Sequence, residues 1–116
     1  MSGKKSEINI EVSLDENNVP ARITWQATDQ PNPEPSEVKG MLLALFDKDH
    51  LDTLKIDLWT KVMQVVEMDR FFYNTIKSMA DTYMRATNNA KLAGAMQQFA
   101  QYFGQETEIV PKEEQQ

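Results

Sequence analysis

The spacing of the apolar residues changes at Trp59, and this change limits the folds that the chain can adopt. Before Trp59, apolar and polar residues mostly alternate, which is the pattern of β-strands with one face turned to a core. After Trp59, apolar residues recur every three or four positions, as in amphipathic helices. Because all predicted strands precede all predicted helices, no β-α-β unit is expected. This order predicts an α+β fold built on an antiparallel sheet.

The first two predicted strands form a hairpin. The stretch EINIEVSL alternates apolar and polar residues, and so does ARITWQAT. Between them, DENNVP is rich in residues that favour turns. The apolar side of this hairpin consists of Ile8, Ile10, Val12, Leu14, Ile23, Trp25 and Ala27.

The next apolar segment, VKGMLLALFD, fits two structures. One is a helix capped by Ser36, with apolar residues at helical spacing. The other is a strand, which is favoured because Gly40 weakens a helix and because DKDH is a natural turn into LDTLKIDLW. The preceding DQPNPEPS has prolines at alternate positions and is predicted to be a connector. Together, these segments predict a four-stranded antiparallel meander followed by two C-terminal helices packed on one face.

Two helices are predicted after the strands. The first runs over about residues 65–86, and Asn88 or Asn89 is predicted to cap the second, which Gly104 ends. The predicted single domain spans residues 1–104, and the polar tail, residues 105–116, is predicted to be disordered. The predicted apolar stripes are Val65, Met68, Phe72, Ile76, Met79 and Tyr83 in the first helix, and Leu92, Met96, Phe99 and Phe103 in the second.

Composition excludes several classes of protein and site. Of the 116 residues, 41% are hydrophobic and 26% charged, which is enough for one hydrophobic core. The absence of cysteine excludes disulfides, thiolate catalysis and cysteine-ligated metals. A net charge of -6 makes nucleic acid an unfavourable partner. Neither a signal peptide nor a membrane-spanning stretch is visible, so we expect a cytoplasmic location without direct membrane insertion.

No residue pattern predicts catalysis, a cofactor or a metal site. His50 is the only histidine, and within a turn it is predicted to be solvated. The stretch DKDHLD begins like a calcium-binding loop, but Leu51, Asp52 and Leu58 occupy positions where that loop needs other residues. Neither a phosphate-binding glycine motif nor a nucleophile elbow occurs. The chain is therefore predicted not to be an enzyme.

The third and fourth predicted strands carry large side chains on both faces, which predicts a binding surface. In LKIDLWTK, Trp59 shares the otherwise polar face with Lys55 and Asp57. Either Trp59 belongs to an interface with a partner or a second copy, or it ends its strand and turns back over the core. Phe71 lies off the main stripe of the first helix and either extends the contact surface or is covered by neighbouring elements. The predicted partner-binding residues are Leu42, Ala44, Phe46, Leu51, Trp59 and Phe71.

Several stretches resemble the gliding motility-associated protein GldC family of surface-gliding bacteria. They are KKSEINIEVSLDENNVPARITWQA, LDTLKIDLWTKVM, EMDRFF, SMADTYMRAT and MQQFAQYF, in the same order over nearly the whole chain. The resemblance implies a non-enzymatic accessory protein of the gliding machinery, which is linked to an outer-membrane protein export system. It also implies a protein partner, the gliding lipoprotein GldB or another inner-membrane component, with recruitment to the inner face of the cytoplasmic membrane.

The order of the elements supports an alternative function. Four antiparallel strands followed by two helices also resembles the export chaperone SecB, which holds unfolded clients in apolar grooves. Under this alternative the chain is a holdase and a homo-oligomer, and the second apolar sheet face is its assembly or client surface. The resemblance is one of element order alone.

Overall fold

The computed structural model describes residues 3–31 and 34–111, which form an N-terminal unit ending at Met63 and a C-terminal unit beginning at Gln64. All strands lie in the first unit and both helices in the second, which confirms the α+β class and the two C-terminal helices. The predicted connector includes residues 32 and 33, which lie outside the described residues. The elements are β1 (Ile8–Leu14), β2 (Pro20–Ala27), β3 (Ser36–Val38), β4 (Gly40–Phe46), β5 (Thr53–Trp59), α1 (Val65–Thr87) and α2 (Ala90–Glu106).

Strands β1, β2 and β3 form an antiparallel sheet with β2 in the centre. The alternation predicted for the first hairpin is confirmed by the register, which pairs Val12 with Ile23 and Ile10 with Trp25. Ile23 also lies opposite Val38 on the other side. Because it has an apolar neighbour on each adjacent strand, Ile23 is fully buried.

The turn between β1 and β2 is organised by the carboxylate of Asp15. Its Oδ1 accepts hydrogen bonds from the backbone amides of Asn17 (2.8 Å) and Val19 (3.0 Å), while Asn18 adopts the left-handed conformation (φ 62°) that asparagine tolerates. Its Oδ2 forms an ion pair with Lys61, which follows β5. The hydrogen bond from Lys61, followed by that from the Val19 amide, lowers the pKa of Asp15 below its ordinary value of 3.8.

The prediction of one four-stranded meander is wrong, because the third predicted strand is divided at Lys39. Its first part, β3, pairs with β2, and its second part, β4, pairs with β5 in a separate two-stranded sheet. The carbonyl of Lys39 accepts hydrogen bonds from the amide (2.8 Å) and hydroxyl (3.2 Å) of the buried Thr60. Beyond Val38, little of β2 remains to pair, because that strand begins at Pro20, which has no N–H for the ladder. The predicted strand conformation of the apolar segment is nevertheless confirmed, and the helix capped by Ser36 is excluded.

The β4–β5 turn uses Asp47 in the way that the first turn uses Asp15. The Asp47 carboxylate accepts hydrogen bonds from the backbone amides of Asp49 (3.1 Å) and His50 (2.7 Å) and lies 3.0 Å from His50 Nδ1. The backbone amide of His50, and then its ring, lower the pKa of Asp47 below its ordinary value of 3.8. The His50 side chain is exposed, which confirms that it is a solvated turn residue. Leu51 completes the turn with φ 59°.

The two helices begin and end close to the predicted positions. Helix α1 confirms the prediction for residues 65–86, and Asn88 terminates it in the left-handed conformation (φ 57°). Asn89 caps α2, since its Oδ1 accepts a hydrogen bond from the Leu92 amide (3.1 Å). The prediction that Gly104 ends the second helix is wrong, because α2 continues beyond it. Gly104 is instead buried within α2, against the ring of Tyr73 of α1.

Small residues form the contact between α1 and α2. Ala93, Ala100 and Gly104 of α2 are buried, as are Tyr73 and Ala80 of α1. A Cβ atom on Gly104 would lie 2.6 Å from Cε1 of Tyr73, so only glycine allows this approach. None of these buried residues belongs to the predicted stripes. Several of their large members are exposed, namely Val65, Phe72, Met79, Leu92 and Phe99.

The packing of the helices on one face of the sheet and the extent of the single domain stay predictions. Of the predicted tail, residues 112–116 lie outside the described residues. Before them, the amides of Ile109 (2.9 Å) and Val110 (3.1 Å) donate to the Gly104 carbonyl and close the end of α2.

Candidate interaction surface

The β4–β5 hairpin has two different faces, set by an unbroken register from Gly40–Trp59 to Phe46–Thr53. On one face, here called the aliphatic face, every cross-strand pair is apolar. On the other, here called the mixed face, three apolar residues of β4 lie opposite polar residues of β5, and Gly40 lies opposite Trp59. The aliphatic face consists of Met41, Leu43, Leu45, Leu54, Ile56 and Leu58, and the mixed face of Gly40, Leu42, Ala44, Phe46, Thr53, Lys55, Asp57 and Trp59.

Two exposed aromatic side chains stand at opposite ends of the mixed face. Trp59 is 56% exposed and lies opposite Gly40, which has no side chain to cover the indole. Phe46, at the far end, is 69% exposed. Between them, Nζ of Lys55 lies 2.9 Å from Oδ1 of Asp57 on the same strand. More than half of the indole surface is therefore accessible for contact.

The hairpin brings together five of the six predicted partner-binding residues. Leu42 and Ala44 lie between the two aromatics on the mixed face, with Leu42 half-buried and Ala44 exposed. Leu51 lies in the turn beyond Phe46 and is 67% exposed. Its left-handed backbone is unfavourable, because the Cβ atom of leucine then lies too close to the following carbonyl oxygen. Since the side chain is mostly exposed, its burial contributes little to stability. An exposed leucine held in this conformation is a further candidate contact residue.

Phe71, the sixth predicted residue, lies in the C-terminal unit and is half-buried. It lines an open groove of about 680 Å³ between α1 and α2. The groove is mostly apolar, because Met79, Tyr83 and Met96 also line it. Small hydroxyl side chains complete its wall, namely Thr75, Ser78 and Thr82. The hypothesis that Phe71 contributes to a contact surface thus applies to a second surface, on the helices.

Much of the aliphatic face is exposed. Alternation correctly places Leu54, Ile56 and Leu58 on one face. In the structure, Leu45, Leu54 and Ile56 are all exposed. The division of the third strand has a signal in the sequence, namely Pro20, because it limits how far β2 extends alongside that strand.

The carboxylates of both turns are occupied by structural hydrogen bonds. Asp15 and Asp47 accept hydrogen bonds from backbone amides and a neighbouring side chain, and both pKa values are lowered, so both groups are ionised at neutral pH. Over residues 3–31 and 34–111, no group of three or more histidine, aspartate or glutamate side chains could hold a metal ion. Within those residues, neither helix combines the length and the apolar character that a membrane-spanning helix needs.

Comparison with known proteins identifies a family. The profile of the gliding motility-associated protein GldC-like family matches residues 20–109, which is more than half of the chain and includes strands β2 to β5 and both helices. No curated protein and no solved structure matches the chain. The resemblance seen in the sequence is thereby confirmed, and the chain belongs to the GldC-like family of gliding motility-associated proteins.

Proposed function

We propose that this protein is a non-enzymatic accessory factor of the gliding machinery that acts by binding another protein through the mixed face. The single observation that carries this proposal is the exposure of Phe46 and Trp59 on one face of a hairpin. Aromatic residues of this kind are enriched among the side chains that dominate binding energy at protein interfaces. Membership of the GldC-like family supplies the connection with gliding motility.

The exposed indole alone offers substantial binding energy. A tryptophan can bury roughly 200 Å², and Trp59 is 56% exposed, so a partner can cover about 110 Å² of it. At ~25 cal/mol per Å², this area corresponds to about 3 kcal/mol before the costs of association. Phe46 adds a second anchor at the other end of the face. The Lys55–Asp57 pair between the anchors requires polar groups at the centre of the partner surface.

The proposed partner is a membrane component of the gliding machinery, with the lipoprotein GldB as the first candidate. The proposed location is the cytoplasm, with recruitment to the inner face of the cytoplasmic membrane through that partner. Binding through an exposed β-hairpin suits an accessory factor, since it presents a preformed surface and requires no chemistry. No catalytic step is included in this proposal.

Co-purification from a gliding bacterium with matched variants tests the proposal. Phe46→Ser and Leu45→Ser remove neighbouring exposed apolar side chains from opposite faces of the same hairpin. We expect the wild-type chain and Leu45→Ser to retain one stoichiometric membrane component, and Phe46→Ser to lose it. The captured component is then bound as a purified protein to the same three chains, to show that the contact is direct. Equal retention by all three chains would contradict a role for the mixed face.

The chaperone alternative predicts a different result in the same experiment. A SecB-like holdase would return many unfolded chains instead of one component. The exposed aliphatic face is the observation that favours this second function, because unfolded clients bind through apolar side chains. A variant such as Leu45→Ser would then reduce client capture, whereas the adaptor function predicts that it does not.

A further inference from the structure

Strand β5 pairs with a neighbouring strand on one side only within the described residues. At the two ends of its register with β4, the Asp47 amide donates to the Asp52 carbonyl and the Thr60 amide donates to the Lys39 carbonyl, both at 2.8 Å. Because hydrogen-bonded pairs alternate along an antiparallel ladder, the even-numbered residues of β5 bond to β4. The N–H and C=O groups that point to the open edge belong to Thr53, Lys55, Asp57 and Trp59.

The charges along this edge match those of a second copy of the chain. In an antiparallel pair, residues directly opposite each other share a face. When Ile56 of one copy lies opposite Ile56 of the other, Lys55 of each copy lies opposite Asp57 of the other. Lys55 and Asp57 also direct their backbone groups to the open edge, so these charged pairs are the hydrogen-bonded pairs. We infer that two copies of this chain associate by antiparallel pairing of their β5 edges, with Ile56 at the centre.

The neighbouring registers lose this match. Centring the pair on Lys55 places two ammonium groups opposite each other, and centring it on Asp57 places two carboxylates opposite each other. A shift by one residue places outward-pointing backbone groups opposite residues that bond to β4, so the backbone hydrogen bonds are lost. The combination of charge and backbone direction therefore selects a single register.

The other open edges are not self-complementary in this way. Strand β1 is an edge strand whose one charged residue is Glu11, so a second copy offers it no opposite charge. Strand β4 carries no charged residue at all. Of the strands described, β5 alone carries opposite charges two positions apart on one face.

Association through β5 also changes the surroundings of the hairpin. An isolated two-stranded ribbon is marginally stable in water, whereas the dimer has four strands in the order β4-β5-β5-β4. Its aliphatic face extends without interruption across both hairpins. On the mixed face, Trp59 of one copy lies opposite Thr53 of the other, whose neighbour on β4 is Phe46. The dimer therefore covers an open strand edge that otherwise promotes non-specific pairing.

Charge reversal tests both the dimer and its register. Lys55→Glu makes the edge wholly acidic and Asp57→Lys makes it wholly basic, so each variant places like charges opposite each other in its own dimer. In sedimentation equilibrium on the full chain, we expect the wild type to dimerise and each variant to raise the dimer dissociation constant by about tenfold or more. An equimolar mixture of the two variants restores the dimer, because the acidic edge then lies opposite the basic edge.

The doubly substituted Lys55→Glu/Asp57→Lys chain, with its charges exchanged, is expected to dimerise like the wild type. Glu11→Lys reverses a charge on the edge strand β1 and serves as a control that leaves the dissociation constant of the dimer unchanged. Circular dichroism establishes that each variant is folded. A monomeric wild type at the highest soluble concentration overturns the inference, as does a dimer that survives in both single variants or a mixture that stays monomeric. The result is independent of the proposed function, because only the purified chain is present.

Discussion

Two glycines of helix α2 provide a sharp test of how the helical unit is packed. A Cβ atom on Gly94 would meet nothing within 4 Å, whereas one on Gly104 would lie 2.6 and 2.9 Å from ring carbons of Tyr73 and 2.9 Å from Cγ2 of Val110. Neither glycine has a positive φ, so backbone conformation does not require either of them. The variants Gly94→Ala and Gly104→Ala therefore share the same change in helix propensity and differ in steric contact.

The expected free energies of unfolding follow from these distances. Replacing glycine by alanine within a helix is worth about 1 kcal/mol in propensity. Carbon atoms normally approach to about 3.5–4.0 Å, so at Gly104 the buried Tyr73 ring must move by about 1 Å. Such overpacking typically costs about 1–3 kcal/mol. We expect Gly94→Ala to stabilise the protein by about 1 kcal/mol, and Gly104→Ala to be destabilised relative to it by about 1–3 kcal/mol.

Urea unfolding followed by far-ultraviolet circular dichroism measures both values. The difference between the two variants is the informative quantity, because the propensity contribution is common to both. Equal stabilisation by the two substitutions would show that Tyr73 and Val110 yield without cost, and would refute the conclusion that glycine is needed for close helix approach. Loss of near-ultraviolet ellipticity in Gly104→Ala alone would support displacement of the tyrosine ring.

Three further predictions concern the turns and the helix cap. Leu51→Gly should stabilise the protein by about 0.5–1 kcal/mol in thermal or urea unfolding, because glycine adopts the left-handed backbone without steric cost; destabilisation would contradict strain at this residue. Asp15→Asn should lower stability above pH 3.8 and lose this effect as the pH falls through the lowered pKa of the folded protein, because protonation ends the ion pair with Lys61; a pH-independent difference would argue against it. Asn89→Ala should cost about 1 kcal/mol in urea unfolding by removing the acceptor for the Leu92 amide, while Asn89→Ser should retain most of it.

The proposed partner and the inferred second copy would use different parts of the β4–β5 hairpin, namely the mixed face and the β5 edge. A partner on the mixed face contacts side chains, whereas a second copy at the edge contacts the backbone and the charges on it. Lys55 and Asp57 belong to both surfaces, so the Phe46→Ser variant separates the two roles better than a charge reversal does. Phe46 lies on β4, away from the open edge of β5.

The candidate partner-binding residues could be placed from the sequence only as a group on one strand face. Alternation placed Leu42, Ala44 and Phe46 together, and the structure keeps them together on β4. The exposure of Trp59 depends on which residue lies opposite it, and only the register of β4 and β5 shows that this residue is Gly40. The helical groove that contains Phe71 was not predictable from spacing, because its shape depends on how closely α1 and α2 approach.

The sequence by itself determined the local structure of this protein. The change of apolar spacing at Trp59, the asparagines and aspartates of the turns, and the Asn88–Asn89 break each act over a few residues, so the bounds of most strands and helices followed from them. Only the tertiary structure decided that the third strand divides at Lys39 and that Gly104 lies against Tyr73. Both depend on partners distant in the chain: a strand continues only while a neighbour remains to accept its hydrogen bonds, and a glycine becomes necessary only where another helix occupies the space of its missing side chain.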